Sequence, residues 1–201
     1  HKTPDREAFI YEDQRLTYRE FDRRATQFAG WLQSRGVEWN DKVGFMLKNC
    51  LAFAEIVFGT ALAGGVAVPV NFRLSAEEVV YVVNQSDSKI LLIDAEYVPM
   101  IFSVRHRLPK VETVVVVGGP CPAEALNYDA IFETEWACRP CERLTDDDAA
   151  IIVYTSGTTG KPKGAVLTHK NLYQAGQSLI WEGSWPLHTK TLVAVPLFHI
   201  G

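Results

Sequence analysis

The sequence predicts an α/β protein, in which helices flank a largely parallel or mixed sheet, and three observations carry that prediction. Short apolar runs rich in β-branched residues recur at 43–47, 66–70, 90–93, 114–117, 150–154, 165–167 and 192–195. Such runs suit strands buried on both faces. Helix-period stretches separate most of them, and alternation of this kind builds a sheet covered by helices.

The first helix has a well-marked start. Thr17 is placed to cap free backbone N–H groups while Glu20 reaches back to it, and Leu16 and Phe21 stand at the stapling positions. Phe21, Ala25, Phe28 and Leu32 then share one face, and Gly36 suits a left-handed exit. The device recurs at Ser75 and Glu78, opening a helix expected to run to about Asn84. Residues 51–70 are long and apolar enough to raise the question of a membrane span, but Gly64-Gly65 and Pro69 interrupt them and Glu55 would lie unpaired in lipid. They read as a buried helix, a glycine turn and a buried strand. Residues 118–148 hold prolines at 120, 122 and 140, and read as a connection between two sheet regions with a short helix near 128–136.

Composition narrows the function classes. Apolar residues make up 47% and charged residues 22% of the 201-residue chain, as in ordinary folded proteins. The formal net charge of −4 argues against a protein held on nucleic acid or anionic membrane. No basic-then-apolar leader precedes the first helix, so a cytoplasmic protein is expected. Cys138 and Cys141 have the spacing of half a zinc site or a redox pair, but no second pair accompanies them and a charged segment follows. Ordinary reduced thiols are the expectation for these two and for Cys50 and Cys121.

The chemistry concentrates in residues 154–164, Tyr-Thr-Ser-Gly-Thr-Thr-Gly-Lys-Pro-Lys-Gly, directly after a predicted strand. Glycines let backbone N–H groups approach a ligand, hydroxyls donate to anionic oxygens, and lysines add positive charge. Phosphate is the natural guest. A plain surface hairpin also favours Gly, Thr and Ser, but would not need this density of donors. The common P-loop is excluded. Thr155 stands where its first glycine belongs, Pro162 follows Lys161 in place of Ser or Thr, and residues 164–167 look like a strand where that motif needs a helix.

Residues 154–164 resemble the phosphate-loop signature of the adenylate-forming superfamily of acyl-CoA synthetases, amino-acid adenylation domains and luciferases. The resemblance extends over the chain. It includes Thr17-Tyr18 with Glu20, Gly36-Val37, Asp41-Lys42-Val43, Gly64-Gly65 through Asn71, Leu74-Ser75 with Glu78, and Thr168-His169-Lys170-Asn171-Leu172. Asn40 departs from the family's usual glycine. The closing Pro196-Leu197-Phe198-His199 is similar to the start of a further family motif. On this resemblance residues 1–201 are expected to form the N-terminal part of the AMP-binding large domain of an adenylate-forming enzyme, incomplete without the rest of the large domain and the small lid domain. The Tyr-Gly-x-Thr-Glu segment that supplies a magnesium-binding Glu in the family does not occur in it.

The resemblance implies ATP-dependent activation of a carboxylic acid, expected to be a fatty acid, to an acyl-adenylate, followed by thioester formation with coenzyme A. The expected nucleotide-binding residues are Thr155, Ser156, Gly157, Thr158, Thr159, Gly160, Lys161 and Lys163, with Thr155 also touching Mg²⁺. Lys163 is the stronger lysine, and Lys161 stays open between a phosphate contact and a solvated loop charge. His199 is expected beside the reacting carboxylate and α-phosphate, against the alternative of a packed histidine at a strand end; His169 is expected to belong only to the turn into the next helix. Residues 193–201 contain no acid to pair a substrate ammonium, which favours a simple acid over an amino acid. Two other readings stand: an aryl-acid or carrier-protein-loading ligase, and a non-catalytic nucleotide-binding module. The chain alone is expected to be inactive, and to leave apolar faces bare that favour homodimer formation or other self-association.

Overall fold

The computed structural model describes residues 3–155, 160–186 and 188–199. The chain opens with an antiparallel hairpin of β1 (Glu7–Tyr11) and β2 (Gln14–Thr17). Sequence reasoning missed it, because its charged residues mask the alternation and its turn places Glu12 at φ 51°. Helix α1 (Tyr18–Ser34) follows with the predicted capping box, in which the Glu20 N–H donates to Thr17 Oγ1 and the Thr17 N–H to Glu20 Oε2. Gly36, at φ 75°, makes the predicted left-handed exit. Asn40 is also left-handed at φ 68°, which is why a glycine and an asparagine are interchangeable there.

Next come β3 (Lys42–Met46), α2 (Leu51–Leu62), β4 (Val66–Pro69), α3 (Ala76–Gln85), β5 (Ser88–Asp94), α4 (Val98–Val104), β6 (Thr113–Val117), β7 (Leu126–Asn127), β8 (Ala149–Thr155), β9 (Lys163–Thr168) and α5 (His169–Gly183). Strands β3 to β9 form one sheet in the order β7-β6-β5-β3-β4-β8-β9. All its pairings are parallel except β8–β9, so the sheet is mixed, as predicted. From β3 the chain steps to β4 on one side, then crosses to β5 on the other. The point where a chain changes direction in this way opens a crevice at the carboxyl ends of the strands. Here the Lys48 N–H donates to Asp94 Oδ2 at 2.7 Å and ties the ends of β3 and β5 together.

Two apolar layers cover the sheet. Phe28, Trp31 and Leu32 of α1 and Phe53 and Ile56 of α2 pack on Val43, Phe45, Leu92, Ile151 and Val153. On the opposite side Val79, Val82 and Val83 of α3 and Ile101 of α4 pack on Met46, Leu91, Ile93 and Val116. The first layer contains an ion pair: buried Glu55 accepts from Arg24 Nε at 2.5 Å, from Arg24 Nη2 at 3.0 Å and from the Tyr128 hydroxyl at 2.8 Å. The polar group that argued against a membrane span is therefore satisfied inside the fold. No helix among the described residues is long and apolar enough to cross a membrane.

Two predicted elements need correction. Residues 192–195 form no strand: Leu192 is 91% exposed, and no neighbouring strand takes up their backbone groups among the described residues. The helix near 128–136 shrinks to a 3₁₀ turn, Asp129–Glu133, whose neighbour Tyr128 is buried by its bond to Glu55. Helix α4, which carries a proline in its first turn, was not foreseen. The apolar faces expected to be bare lie on α5 and beside it, where Tyr173, Leu179, Ile180 and Trp181 are exposed.

Candidate active site

Strands β8 and β9 are the two arms of the Gly-Thr-Lys loop. Their antiparallel register sets Thr155 opposite Lys163 and Tyr154 opposite Gly164. Residues directly opposite in such a ladder point to the same face, and neighbours alternate. Thr155 and Lys163 therefore share one face with Ile151, Val153 and Leu167, the face covered by α1 and α2. Both are exposed at the mouth of the hairpin. A hydroxyl and an ammonium held side by side, free to meet solvent, can donate to one polyanion. Gly160 takes φ 91°, the left-handed conformation expected of a glycine in this loop. Ser156, Gly157, Thr158 and Thr159 lie outside the described residues.

The other face of the hairpin is braced by α3, which was not foreseen from the sequence. The Tyr154 hydroxyl donates to Gln85 Oε1 and the Tyr81 hydroxyl to the Pro162 carbonyl at 3.4 Å, so α3 touches both arms. The Lys161 ammonium lies 5.5 Å from the centroid of the Tyr81 ring, a cation–π placement on the α3 side. Of the two lysines only Lys163 sits beside Thr155. Burial, with Tyr81 and Asp87 nearby, pushes the Tyr154 phenol up to about 12, so it stays a neutral donor. Gly164 makes room for its ring: a Cβ there would lie 3.1 Å from Tyr154 Cζ and 2.8 Å from Ile152 Cγ2. Only the αα-face spacing of Tyr81 and Gln85 hinted at a shared surface, and it could not say which surface.

His199 is carried by an irregular segment, contrary to the strand end its surroundings suggested. It is exposed, but the residue before it is not. Phe198 is 8% exposed, joins the first apolar layer and packs edge-on against Phe72 at 5.1 Å between centroids. The loop and the His199 segment thus belong to the same face of the sheet. His169 is the first residue of α5, which Thr168 and Asn171 cap, as expected of a turn residue.

Among the described residues no group of three or more His, Cys, Asp or Glu is arranged to hold a metal ion. The donor chemistry at Thr155 still suits Mg²⁺, which keeps several waters and takes most of its remaining ligands from substrate phosphates, so that one protein hydroxyl is an adequate share. Cys138 packs against the first apolar layer, and burial raises its thiol. Cys141 lies against Gly64. A separate cleft of about 640 Å³, lined by Tyr11, Arg15, Arg24, Cys50, Glu55 and Tyr128 among others, includes none of the predicted site residues.

An open, mostly parallel sheet with helices on both faces and one antiparallel edge hairpin defines an α/β domain. The chain belongs to the AMP-binding enzyme family, whose model it matches over residues 1–201. It is 33% identical, over 98% of its own length, to the fatty acid–[acyl-carrier-protein] ligase ScoC of Streptomyces coeruleorubidus, and 31% identical, over 97%, to 4-hydroxybutyrate–CoA ligase 2 of Metallosphaera sedula. It spans 37% of the length of each of these relatives. Among solved structures it is similar to the inhibitor-bound N-terminal domain of FACL13 from Mycobacterium tuberculosis, with a TM-score of 0.81 and 30% identity over 98% of this chain and 49% of that one.

Proposed function

We propose that the protein carrying this chain activates a carboxylic acid with ATP to an acyl-adenylate and then transfers the acyl group to the thiol of coenzyme A. The single observation that carries this is the register that sets Thr155 beside Lys163 at the mouth of a Gly-Thr-Lys loop. An anionic acid must approach the α-phosphorus of a polyanion, and pyrophosphate must leave with the negative charge. Lys163, the Thr155 hydroxyl and the backbone N–H groups of Ser156 to Gly160 are the groups assigned to hold the β- and γ-phosphates, so that the leaving charge is met by donors already in place. Magnesium, when bound with ATP, neutralises phosphate charge, and Thr155 is the residue assigned to contact it.

Lys161, whose ammonium lies over the Tyr81 ring, is assigned the lesser share of phosphate contact, behind Lys163. His199 is assigned to orient the carboxylate against the α-phosphate, held in place by the buried Phe198. No acid occurs in residues 193–199, so an ammonium group on the substrate would find no partner there. The relatives' names support a fatty or other simple acid. A carrier-protein thiol is the second reading for the acceptor, because ScoC is named as a ligase to acyl-carrier-protein. ATP, coenzyme A and four free cysteines fit a reducing cytoplasmic setting.

The test is acid-dependent ATP–pyrophosphate exchange by the intact protein, with coenzyme A and a carrier protein compared as acceptors. Lys163→Ala is expected to slow exchange by about 10²–10³-fold, the usual cost of removing one transition-state donor, with folding intact. Exchange at the wild-type rate in that variant refutes the assignment of the loop. Acid-independent exchange, or none, refutes the activity.

A further inference from the structure

His199 lies within residues 191–199, which have no helix or strand to hold them. A side chain on such a segment cannot be kept in place by a ladder of backbone bonds, and a misplacement of about 1 Å can cost about 10²-fold in rate. Some other group must fix it. Phe198 supplies an apolar plug, but a plug leaves the backbone free to pivot.

The second anchor is Asn49. Its Nδ2 donates to the Val195 carbonyl at 2.9 Å, and its Oδ1 accepts from the Leu197 N–H at 2.8 Å. One amide thus satisfies a donor and an acceptor two residues apart, as an adjacent strand would. Asn49 is itself well placed to do this. It follows β3 at the carboxyl-end crevice where the chain reverses direction, and the preceding residue, Lys48, is fixed by its N–H bond to Asp94 and its ammonium contact with Glu96 at 2.6 Å. The turn Pro196–His199, closed by the His199 N–H donating to the Pro196 carbonyl at 3.0 Å, carries this fixation to the histidine.

We propose that Asn49 is a positioning residue for adenylation: it clamps the backbone at Val195 and Leu197 and thereby fixes His199 relative to the segment that follows β3. The inference rests on the role given to His199 above. Asparagine suits the task because its short amide carries a donor and an acceptor in one plane; no other side chain of that length offers both without charge.

The experiment measures ATP–pyrophosphate exchange and the KM for MgATP in the intact protein for Asn49→Ala, His199→Ala and the double variant, with thermal unfolding as a control for folding. Asn49→Ala is expected to lower kcat by about 10- to 100-fold while the KM for MgATP changes less than about threefold. In the His199→Ala background the same change is expected to cost less than about threefold more, because its effect is already lost. Asn49→Gln, which keeps the amide, is expected to recover part of the rate. Should Asn49→Ala fail to fold, Asn49→Ser, too short to bridge both backbone groups, replaces it in the cycle. Effects that multiply in the double variant overturn the clamp and leave the role of His199 standing. Wild-type exchange in His199→Ala overturns both.

Discussion

Replacing Gly164 by alanine tests whether the hairpin arms are held as described. On general grounds the change should help, since alanine lowers the entropy of the unfolded chain and stabilises by about 0.4–1 kcal/mol where the backbone permits it. Gly164 is not left-handed, so the backbone does permit it. The contacts decide the sign. The new Cβ would sit 2.8 Å from Ile152 Cγ2, an atom on a branched side chain with little rotational freedom, and 3.1 Å from Cζ of Tyr154, whose hydroxyl is held by Gln85. Overpacking of this kind costs about 1–3 kcal/mol, so a net loss of about 1–2 kcal/mol remains. The ring of Tyr154 is expected to lift from the hairpin and release one α3 brace. Melting of the intact protein should drop by a few degrees, and pyrophosphate exchange should fall by about tenfold or more. Ile152→Ala in the same chain removes the tighter contact and should recover most of the melting temperature. An unchanged or raised melting temperature with full exchange would refute the reasoning, because it would mean that neither Ile152 nor the Tyr154 ring is fixed against Gly164.

Two further predictions follow from buried groups. Arg24→Met should destabilise the fold by about 3 kcal/mol in urea unfolding followed by tryptophan fluorescence, since it leaves the Glu55 carboxylate buried with the Tyr128 hydroxyl as its remaining partner. Tyr128→Phe should cost only about 1 kcal/mol, and Arg24→Met with Glu55→Leu should recover much of the loss; equal stability of Arg24→Met and wild type would count against the pair. Cys50 stands at the N-terminal boundary of α2, a position that ordinarily lowers a thiol pKa, yet burial wins and pushes it up to about 11. The folded protein therefore keeps the proton that the unfolded chain releases from about pH 9, so stability should fall as pH rises from about 9 to 11, and Cys50→Ala should flatten that fall. Rapid alkylation of Cys50 in the native protein at pH 8 would contradict it.

The sequence by itself determined the elements whose causes are local. The capping boxes at Thr17 and Ser75 need only a hydroxyl and a carboxylate three residues apart, and both helices begin where that spacing placed them. The buried strands are legible because strands covered on both faces need unbroken β-branched runs. The donor content of residues 154–164 is likewise a property of the string, and so is the family it signals. What only the tertiary structure decided depends on partners distant in the chain. Residues 192–195 have a strand's composition but no neighbouring strand to pair with among the described residues, and Asn49, 146 residues earlier than Val195, takes the Val195 carbonyl. Lys161 and Lys163 differ little in the string, but the register of β8 with β9 and the packing of α3 turn one toward Thr155 and the other over Tyr81. Local spacing fixes which atoms a residue offers; which atoms receive them is settled only when separate elements close on one another.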